Sequence, residues 1–504
     1  MNHFPPCRIS LSHEWSIFIW LTLFYFLIAC NEDKTDPPPS NILFIAVDDL
    51  RPQLGIYGHE YMVTPHMDRL AREGRWFTHH FVNVPTCGPS RYTMLTSKYP
   101  QSPAELQNNI FEKTTALNTS TEQPESLADA FRRNGYYTVG IGKISHAADG
   151  LVYGYTDPVS EIRELPQSWD EFHFDSGKWN TGWNAFFGYA DGENRQSMNR
   201  QVPPYEAGAV DDDGYPDGLT TQLAIHQIQK LKNKPQPFFL AVGLFKPHLP
   251  FNAPQKYWDM YDEENIPLTN APDIPLHTSK SSFHESGEFN GYQKGDEKAG
   301  LDRQISPSYA RKLKQAYCAA VSYADAQIGK IIQALETSGL ADNTIIVVWG
   351  DHGWHLGDHR VWGKHTLSDY ALRSTLIIKT PDMVSPGEPS HAIIESTDIY
   401  PTLLDLTHQE IPSTLIGQSF KNILYQPNAD SDGLAYAYFR RGISMRTPKY
   451  RLTRYFRDEQ PDTELYDYDS DPYERRNVVK ENPQIVDSLM VLWKNGDTGL
   501  FHNQ

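Results

Sequence analysis

The chain has 504 residues, 39% of them hydrophobic and 12% aromatic, which suffices for one large domain with a smaller one attached. Its formal net charge of -18, with a pI near 5.5, excludes a general nucleic-acid binder. An anionic ligand on such a chain needs a local basic pocket set into an acidic surface.

From the start of the chain, Arg8 supplies a modest positive charge ahead of an almost wholly apolar run, residues 15–29. That run is short for a membrane span and fits the apolar region of a secretory signal. It ends Leu27-Ile28-Ala29-Cys30, which resembles the lipobox of bacterial lipoproteins, where the cysteine is lipidated and becomes the mature N-terminus. Residues 1–29 are therefore expected to be a lipoprotein signal peptide, and residues 30–40 a polar, proline-containing flexible tether. The expected location is outside the cytoplasm: an exported bacterial lipoprotein, membrane-anchored through Cys30, periplasmic or at the cell surface. Cys7 goes with the signal, which leaves Cys87 and Cys318, and no disulfide framework is indicated. No later segment is long and apolar enough to span a bilayer.

Beyond the tether, strand-like runs alternate with helical patterns. This predicts an α/β fold: a large mixed, mostly parallel sheet flanked by helices over residues 41–430, and a small antiparallel sheet-plus-helix subdomain over 431–504. Residues 42–47 form the first strand, ending at Asp48-Asp49, and Thr64-Pro65 opens a helix. Residues 136–141 end at Gly142-Lys143, residues 238–244 lead to Lys246-Pro247-His248, and residues 344–349 end at Asp351-His352-Gly353, with 376–379 a fifth strand. Leu313, Tyr317, Ala320, Ala324, Ile328 and Ile331 share one helical face, which places Cys318 in a core. Residues 151–235 and 252–307 lack such periodicity and read as long excursions over the active face. Within the first, Asp211-Asp212-Asp213-Gly214 begins like a calcium loop but lacks the downstream glutamate, so a solvated turn is expected. Near the end, residues 436–445 and 450–456 read as an antiparallel pair and residues 483–493 as a final helix.

Four of these strands stop where charged or imidazole residues begin. In a parallel sheet the carboxyl ends share one edge, and ligands bind in the crevice there, so residues distant in sequence converge. Asp48, Asp49, Asp351 and His352 offer three carboxylates and an imidazole at two strand ends. Adjacent buried acids repel unless a cation lies between them. A hard divalent cation such as calcium prefers such oxygen donors, although histidine is an unusual calcium ligand. Cys87-Gly88-Pro89-Ser90-Arg91 fits Cys-x-Pro-Ser-Arg, the signal by which a maturation enzyme converts cysteine to formylglycine. The plainer reading is a helix start with Pro89 in its first turn.

Taken together, Asp48-Asp49-Leu50-Arg51-Pro52, Cys87 to Arg91, Gly142-Lys143 with His146, Lys246-Pro247-His248 and Asp351-His352-Gly353-Trp354 resemble the formylglycine sulfatases of the alkaline-phosphatase-like superfamily. Leu465-Tyr466-Asp467 and Asp471-Pro472 extend the likeness, which covers most of the chain after Asn41. It looks most like the iduronate-2-sulfatase branch, which shares the histidine at 352 where many members have asparagine. The resemblance implies that Cys87 becomes formylglycine, whose hydrate carries one hydroxyl to attack sulfur and a second that lets sulfate leave. It implies one calcium ion held by Asp48, Asp49, Asp351, His352 and the modified Cys87. Arg91 then steadies the hydrate one helical turn away, and Lys143 and Lys364 clamp sulfate oxygens. His248 protonates the leaving sugar oxygen, and His146 serves the second hydroxyl. Lys364 is chosen from the adjacent pair Lys364-His365 on the match Trp362-Gly363-Lys364. Trp354, Trp183 and His365 are expected to line a sugar pocket; His79 and His80 receive no role.

The implied activity is hydrolysis of sulfate esters on sulfated oligo- or polysaccharides. The iduronate-type likeness points to 2-O-sulfated uronic acid at oligosaccharide ends, in an algal polymer such as ulvan or in a glycosaminoglycan. The implied partners are that glycan, the formylglycine-generating enzyme and, through the lipid, the membrane. Two rivals stand beside this reading: a phosphomonoester, phosphodiester or phosphonate hydrolase on the same scaffold, and a non-catalytic glycan-binding lipoprotein.

Overall fold

The protein is described by a computed structural model covering residues 39–112, 124–429 and 433–502, with Met1, His3 and Pro5. The apolar run 15–29, Cys30 and most of the expected tether lie outside the described residues. The chain divides into two units, Met1–Pro39 and Ser40–Gln504, and the elements described below belong to the second.

Eight strands make the main sheet: β1 Asn41–Val47, β2 Arg75–Phe81, β3 Tyr137–Gly142, β4 Glu171–His173, β5 Phe238–Leu244, β6 Thr344–Gly350, β7 Leu376–Lys379 and β8 Pro389–Glu395. Their order across the sheet is β8-β2-β7-β6-β1-β5-β3-β4. In this sheet β7 alone runs against its neighbours. The central strands β1, β5 and β6 are buried along their whole length, as strands covered on both faces must be. Side chains alternate between the two faces. Leu43, Ile45 and Val47 enter one core with helices α1 (Pro65–Glu73), α4 (Pro216–Leu231) and α5 (Pro307–Thr337). Ile42, Phe44 and Ala46 enter the other with α2 (Cys87–Thr96), α3 (Leu127–Arg133) and α6 (Ile399–Leu406). Cys318 is buried in the first of these cores and is a free thiol.

The register sets up the site. Val47 pairs with both Leu244 and Gly350, so β1, β5 and β6 end level and deliver the residues that follow to one edge. Beside this sheet, β9 (Ala435–Phe439), β10 (Gly442–Arg446), β11 (Tyr450–Tyr455) and β12 (Thr463–Asp467) form a four-stranded antiparallel sheet in that order. The final helix α7 (Pro483–Trp493) packs Trp493 into its core. No helix among the described residues is long and apolar enough to cross a membrane.

Two local expectations need correction. Residues 436–445 are not one strand but a hairpin, turned at Arg440 and Arg441 with φ of 48° and 58°. Turns of that hand favour Asn or Gly, and here tertiary contact substitutes for the missing signal, since Arg440 Nη1 donates to the Phe283 carbonyl at 2.7 Å. The Asp211–Gly214 segment is a turn with Asp211 and Asp213 exposed, as expected, but Asp212 is not solvated. Asp212 is buried, pairs with Lys256 at 2.7 Å and with Lys330, and accepts from Tyr257 Oη at 2.9 Å.

Candidate active site

The carboxyl edge of the sheet carries a nest of buried charge. Asp48 and Asp49 follow β1, Lys143 follows β3, His248 follows β5, and Asp351 and His352 follow β6; all are buried. Asp49 adopts φ of 61°, a conformation that aspartate tolerates, and its backbone N–H donates to Asp351 Oδ1 at 2.9 Å. Lys143 pairs with Asp48 Oδ2. The neighbouring strand leaves no room for error here: a Cβ on Gly243 would stand 2.0 Å from the Lys143 carbonyl oxygen. Helix α2 begins at Cys87 and is buried throughout. Asn108 Oδ1 receives the Gly88 N–H at 3.0 Å, which satisfies one free donor of that helix end. One turn on, Arg91 Nε donates to Asp351 Oδ2 at 2.9 Å, and its Nη2 lies 4.0 Å from Asp48 Oδ1.

One donor atom from each of Asp48, Cys87, Asp351 and His352 falls within a 4.8 Å cluster, and Asp49, Cys87 and His248 form a second such group. The set fits a divalent cation. Asp48 Oδ1 and Asp49 Oδ2 are buried without a hydrogen-bond partner among the described residues. His352 Nδ1 lies 3.0 Å from the Gly353 carbonyl, so that nitrogen carries the proton. The Nε2 lone pair therefore faces Asp49 Oδ1 at 3.3 Å and Asp351 Oδ1 at 3.7 Å, an arrangement that a cation relieves. Burial raises the Asp48 pKa, but Lys143, His248 and Arg91 outweigh it and hold the carboxyl well below its usual range. Burial dominates at Asp49 and pushes that carboxyl up, against the pull of Lys364 and His352. The Cys87 thiol is pushed up to about 12 by burial and by Asp48, and is protonated in this setting.

Around the sulfur stand further ionisable groups. Lys364 Nζ is 3.2 Å from Cys87 Sγ and 2.9 Å from Asp49 Oδ1. His248 Nδ1 faces the Leu249 carbonyl at 2.6 Å, and its Nε2 faces Glu288 Oε1 at 3.0 Å. Burial and Lys364 draw the imidazole down to about 4. The ring therefore carries one proton, and each of its nitrogens faces an acceptor that can receive it. Glu288 is held well below its usual range by Lys364 and His248 in spite of burial, so it stays ionised as an acceptor facing the His248 ring. His146 is held neutral, well below its ordinary pKa, by burial and by Lys143, and its Nδ1 has no partner among the described residues.

The family model described as sulfatase matches residues 40–409. The chain belongs to the sulfatase family. A second model, for the C-terminal part of N-sulphoglucosamine sulphohydrolase, matches residues 357–494. Human iduronate 2-sulfatase is 29% identical, over 95% of this chain and 98% of that protein. A sulfatase of Formosa agariphila is 30% identical, over 90% of this chain and 87% of its own length. Among solved structures, the phosphonate monoester hydrolase of Agrobacterium radiobacter superposes with a TM-score of 0.70 at 22% identity, covering 91% of this chain and 96% of that one; this likeness is one of fold. By family the protein is a sulfuric ester hydrolase, and it lies on the iduronate 2-sulfatase branch.

In this sulfatase the charged nest opens into a cavity of about 240 Å³, lined by Cys87, Lys143, His146, His248, Lys364 and His365 among others. Lys143, Lys364, Arg195 and Arg200 face it against one acid among the described residues, Glu288, which makes the local basic pocket that an acidic chain needs for an anion. Trp354 and Trp183 do not line it, contrary to the sequence expectation. Trp354 is fully buried beneath Lys364, whose Nζ lies 5.1 Å from its ring centroid. Trp183 backs His146 at 5.2 Å between ring centroids, and its indole N–H is taken by the Tyr153 carbonyl at 2.9 Å. The aromatic wall is instead Tyr155, Phe186 and Phe187. Sequence reasoning also passed over Glu288, Arg195 and Arg200. All three lie in the aperiodic excursions, where nothing but the excursions' expected position over the active face marked them.

Proposed function

We propose that this sulfatase removes the 2-O-sulfate from a terminal uronic acid of a sulfated glycan, with Cys87 matured to formylglycine and calcium as the bound cation. The single observation that carries the reading is the Cys87 pocket: a buried Cys-x-Pro-Ser-Arg cysteine at a helix N-terminus, with Lys364 at 3.2 Å and an acid cluster behind it. The cavity's volume is below the roughly 300–1,000 Å³ of larger ligand pockets, which suits one sugar ring and hence a chain end. The human relative named for iduronate 2-sulfate supports the ring and the position. Three carboxylates support calcium as the cation. Export and lipid tethering at Cys30 belong to the same proposal, supported by the apolar run that ends at Ala29-Cys30.

When present, formylglycine supplies a hydrate with one hydroxyl to attack sulfur and another to expel sulfate, and the cation acidifies the attacking hydroxyl. The chain's own residues do the rest. Lys143 and Lys364 hold sulfate oxygens where negative charge builds. Arg91 locks Asp351 and spans toward Asp48, which keeps the acid cluster in place. His248, facing Glu288, delivers its proton to the departing sugar oxygen, and neutral His146 accepts one on the opposite side of the cycle.

The test is sulfate release from defined oligosaccharides that differ only in the sulfate position on a terminal uronate, with ulvan and glycosaminoglycan fragments side by side and aryl phosphate as control. Selective release from the 2-position supports the proposal. Faster turnover of aryl phosphate than of any sulfate ester contradicts it.

A further inference from the structure

Two cations of the cavity take no part in the proposed catalytic steps. Arg195 and Arg200 reach it from the 151–235 excursion, whereas Lys143 and Lys364 are already matched, with Asp48 and with Asp49 and Glu288. Arg195 is only 9% exposed, yet among the described residues it makes no ion pair with a carboxylate, and its Nε is buried without a hydrogen-bond partner. Its guanidinium carbon lies 3.4 Å from the centroid of the Phe187 ring, with the Tyr155 and Tyr292 rings at 5.8 and 5.6 Å. Arg200, exposed at the rim, makes no ion pair among the described residues either. The two are fixed to each other by the Arg200 N–H on the Arg195 carbonyl at 2.7 Å. The Gln293 N–H on the Arg200 carbonyl at 2.9 Å ties them to the segment that carries Glu288.

Burying a guanidinium without a counter-charge is unfavourable, so an anion that enters with the substrate offsets the desolvation. The two kinds of cation suit two kinds of anion. An ammonium is a compact point charge and fits a sulfate oxygen beside Cys87. A guanidinium stacked on an aromatic ring presents a planar fork that matches a carboxylate in bidentate fashion. A cavity that holds one sugar ring brings both anions within reach on the same residue: the sulfate at the lysines, the carboxylate at the arginines.

We propose that Arg195, with Arg200 at the rim, forms a carboxylate-binding subsite that reads the acid group of the sugar bearing the sulfate. This rests on the uronate reading above and deepens it: the preference for uronates over neutral sugars resides in these two side chains, not in the residues around Cys87.

The test compares kcat/KM on a disaccharide with a terminal 2-sulfated uronate and on the same disaccharide with its carboxyl reduced to an alcohol, using the mature enzyme. The wild type favours the acid. Arg195→Gln lowers that preference about 10- to 100-fold, the range for a lost charge-assisted hydrogen-bond pair. Arg195→Lys recovers only part of it, because an ammonium lacks the fork. Should Arg195→Gln fail to fold, the exposed Arg200→Gln carries the same comparison with a smaller loss. An unchanged preference in the folded variants overturns the subsite. A wild type that cleaves acid and alcohol equally well overturns the subsite while leaving sulfatase activity in place. A wild type that cleaves aryl sulfate but neither disaccharide removes the uronate reading itself, and the subsite with it.

Discussion

The ammonium of Lys364 stands 3.2 Å from the sulfur of Cys87, 277 residues away along the chain. It bridges that sulfur to Asp49, whose Oδ1 is 2.9 Å off, and in the proposed mechanism it neutralises charge on an attacking group or a sulfate oxygen there. Lys364→Met is therefore expected to lower kcat by roughly 100- to 1,000-fold, the range for a lost oxyanion donor, with secondary structure retained. A loss confined to KM would show that Lys364 only helps to bind substrate.

In the proposed mechanism His248 acts on the leaving group. Its Nε2 faces Glu288, and the imidazole lines the cavity. His248→Ala is predicted to slow sugar sulfates by roughly 100- to 10,000-fold and to slow aryl sulfates, which leave without help, far less. Equal losses on both substrates would remove it as the general acid.

Buried carboxylate oxygens without partners predict a cation that stabilises the fold. Chelation should lower both activity and Tm, and added calcium should restore both in a concentration-dependent way, stabilising the fold by about 2.7 kcal/mol at 100 times Kd. Asp351→Asn should weaken that response about tenfold or more, since Asp351 faces His352 and anchors Arg91. A Tm indifferent to chelator and calcium alike would leave the acid cluster without its ion.

A pH effect follows from the link between the two sheets. Glu474 is buried and pairs with Arg451, while its other oxygen accepts from Ser368. Burial alone would raise its pKa, but Arg451 outweighs it and holds the carboxyl at about 2. A depressed acid stabilises the folded state above its unfolded value, near 4.5, and that contribution fades as pH falls from there toward 2. Glu474→Gln should cost about 3–5 kcal/mol in urea unfolding near neutrality, because it strands Arg451. The gap between variant and wild type should narrow below pH 4.5; a gap constant with pH would show that the charge is not what matters.

The strand ends were legible because a parallel sheet needs buried apolar strands, and these stop abruptly at Asp48, Lys143, Lys246 and Asp351. The long helix was legible for the same reason, one periodic face from Leu313 to Ile331. Strand β2 was not. Its Arg75-Trp76-Phe77-Thr78-His79-His80-Phe81 looks too polar for a core, and it is tolerated because the buried Arg75 guanidinium is satisfied by the carbonyls of Val384, Ser385, Glu388 and Leu424. His80 is likewise satisfied by Ser374 and Ser396, which makes it structural. Trp354 was misplaced because a tryptophan next to a metal-ligand motif reads equally well as wall or as floor; its burial under Lys364 decides for floor. Glu288 and Arg195 stayed hidden because their significance lies in what faces them across the cavity, and aperiodic sequence carries no such pairing.

The sharpest measurement joins the state of one atom to turnover. Mass spectrometry of the peptide spanning Cys87, taken from preparations of graded specific activity, should show an aldehyde in place of the thiol in proportion to sulfate released. Cys87→Ser, which cannot be matured to that aldehyde in the same way, should be folded and inactive. Full activity in a preparation whose residue 87 is an intact thiol would contradict the account.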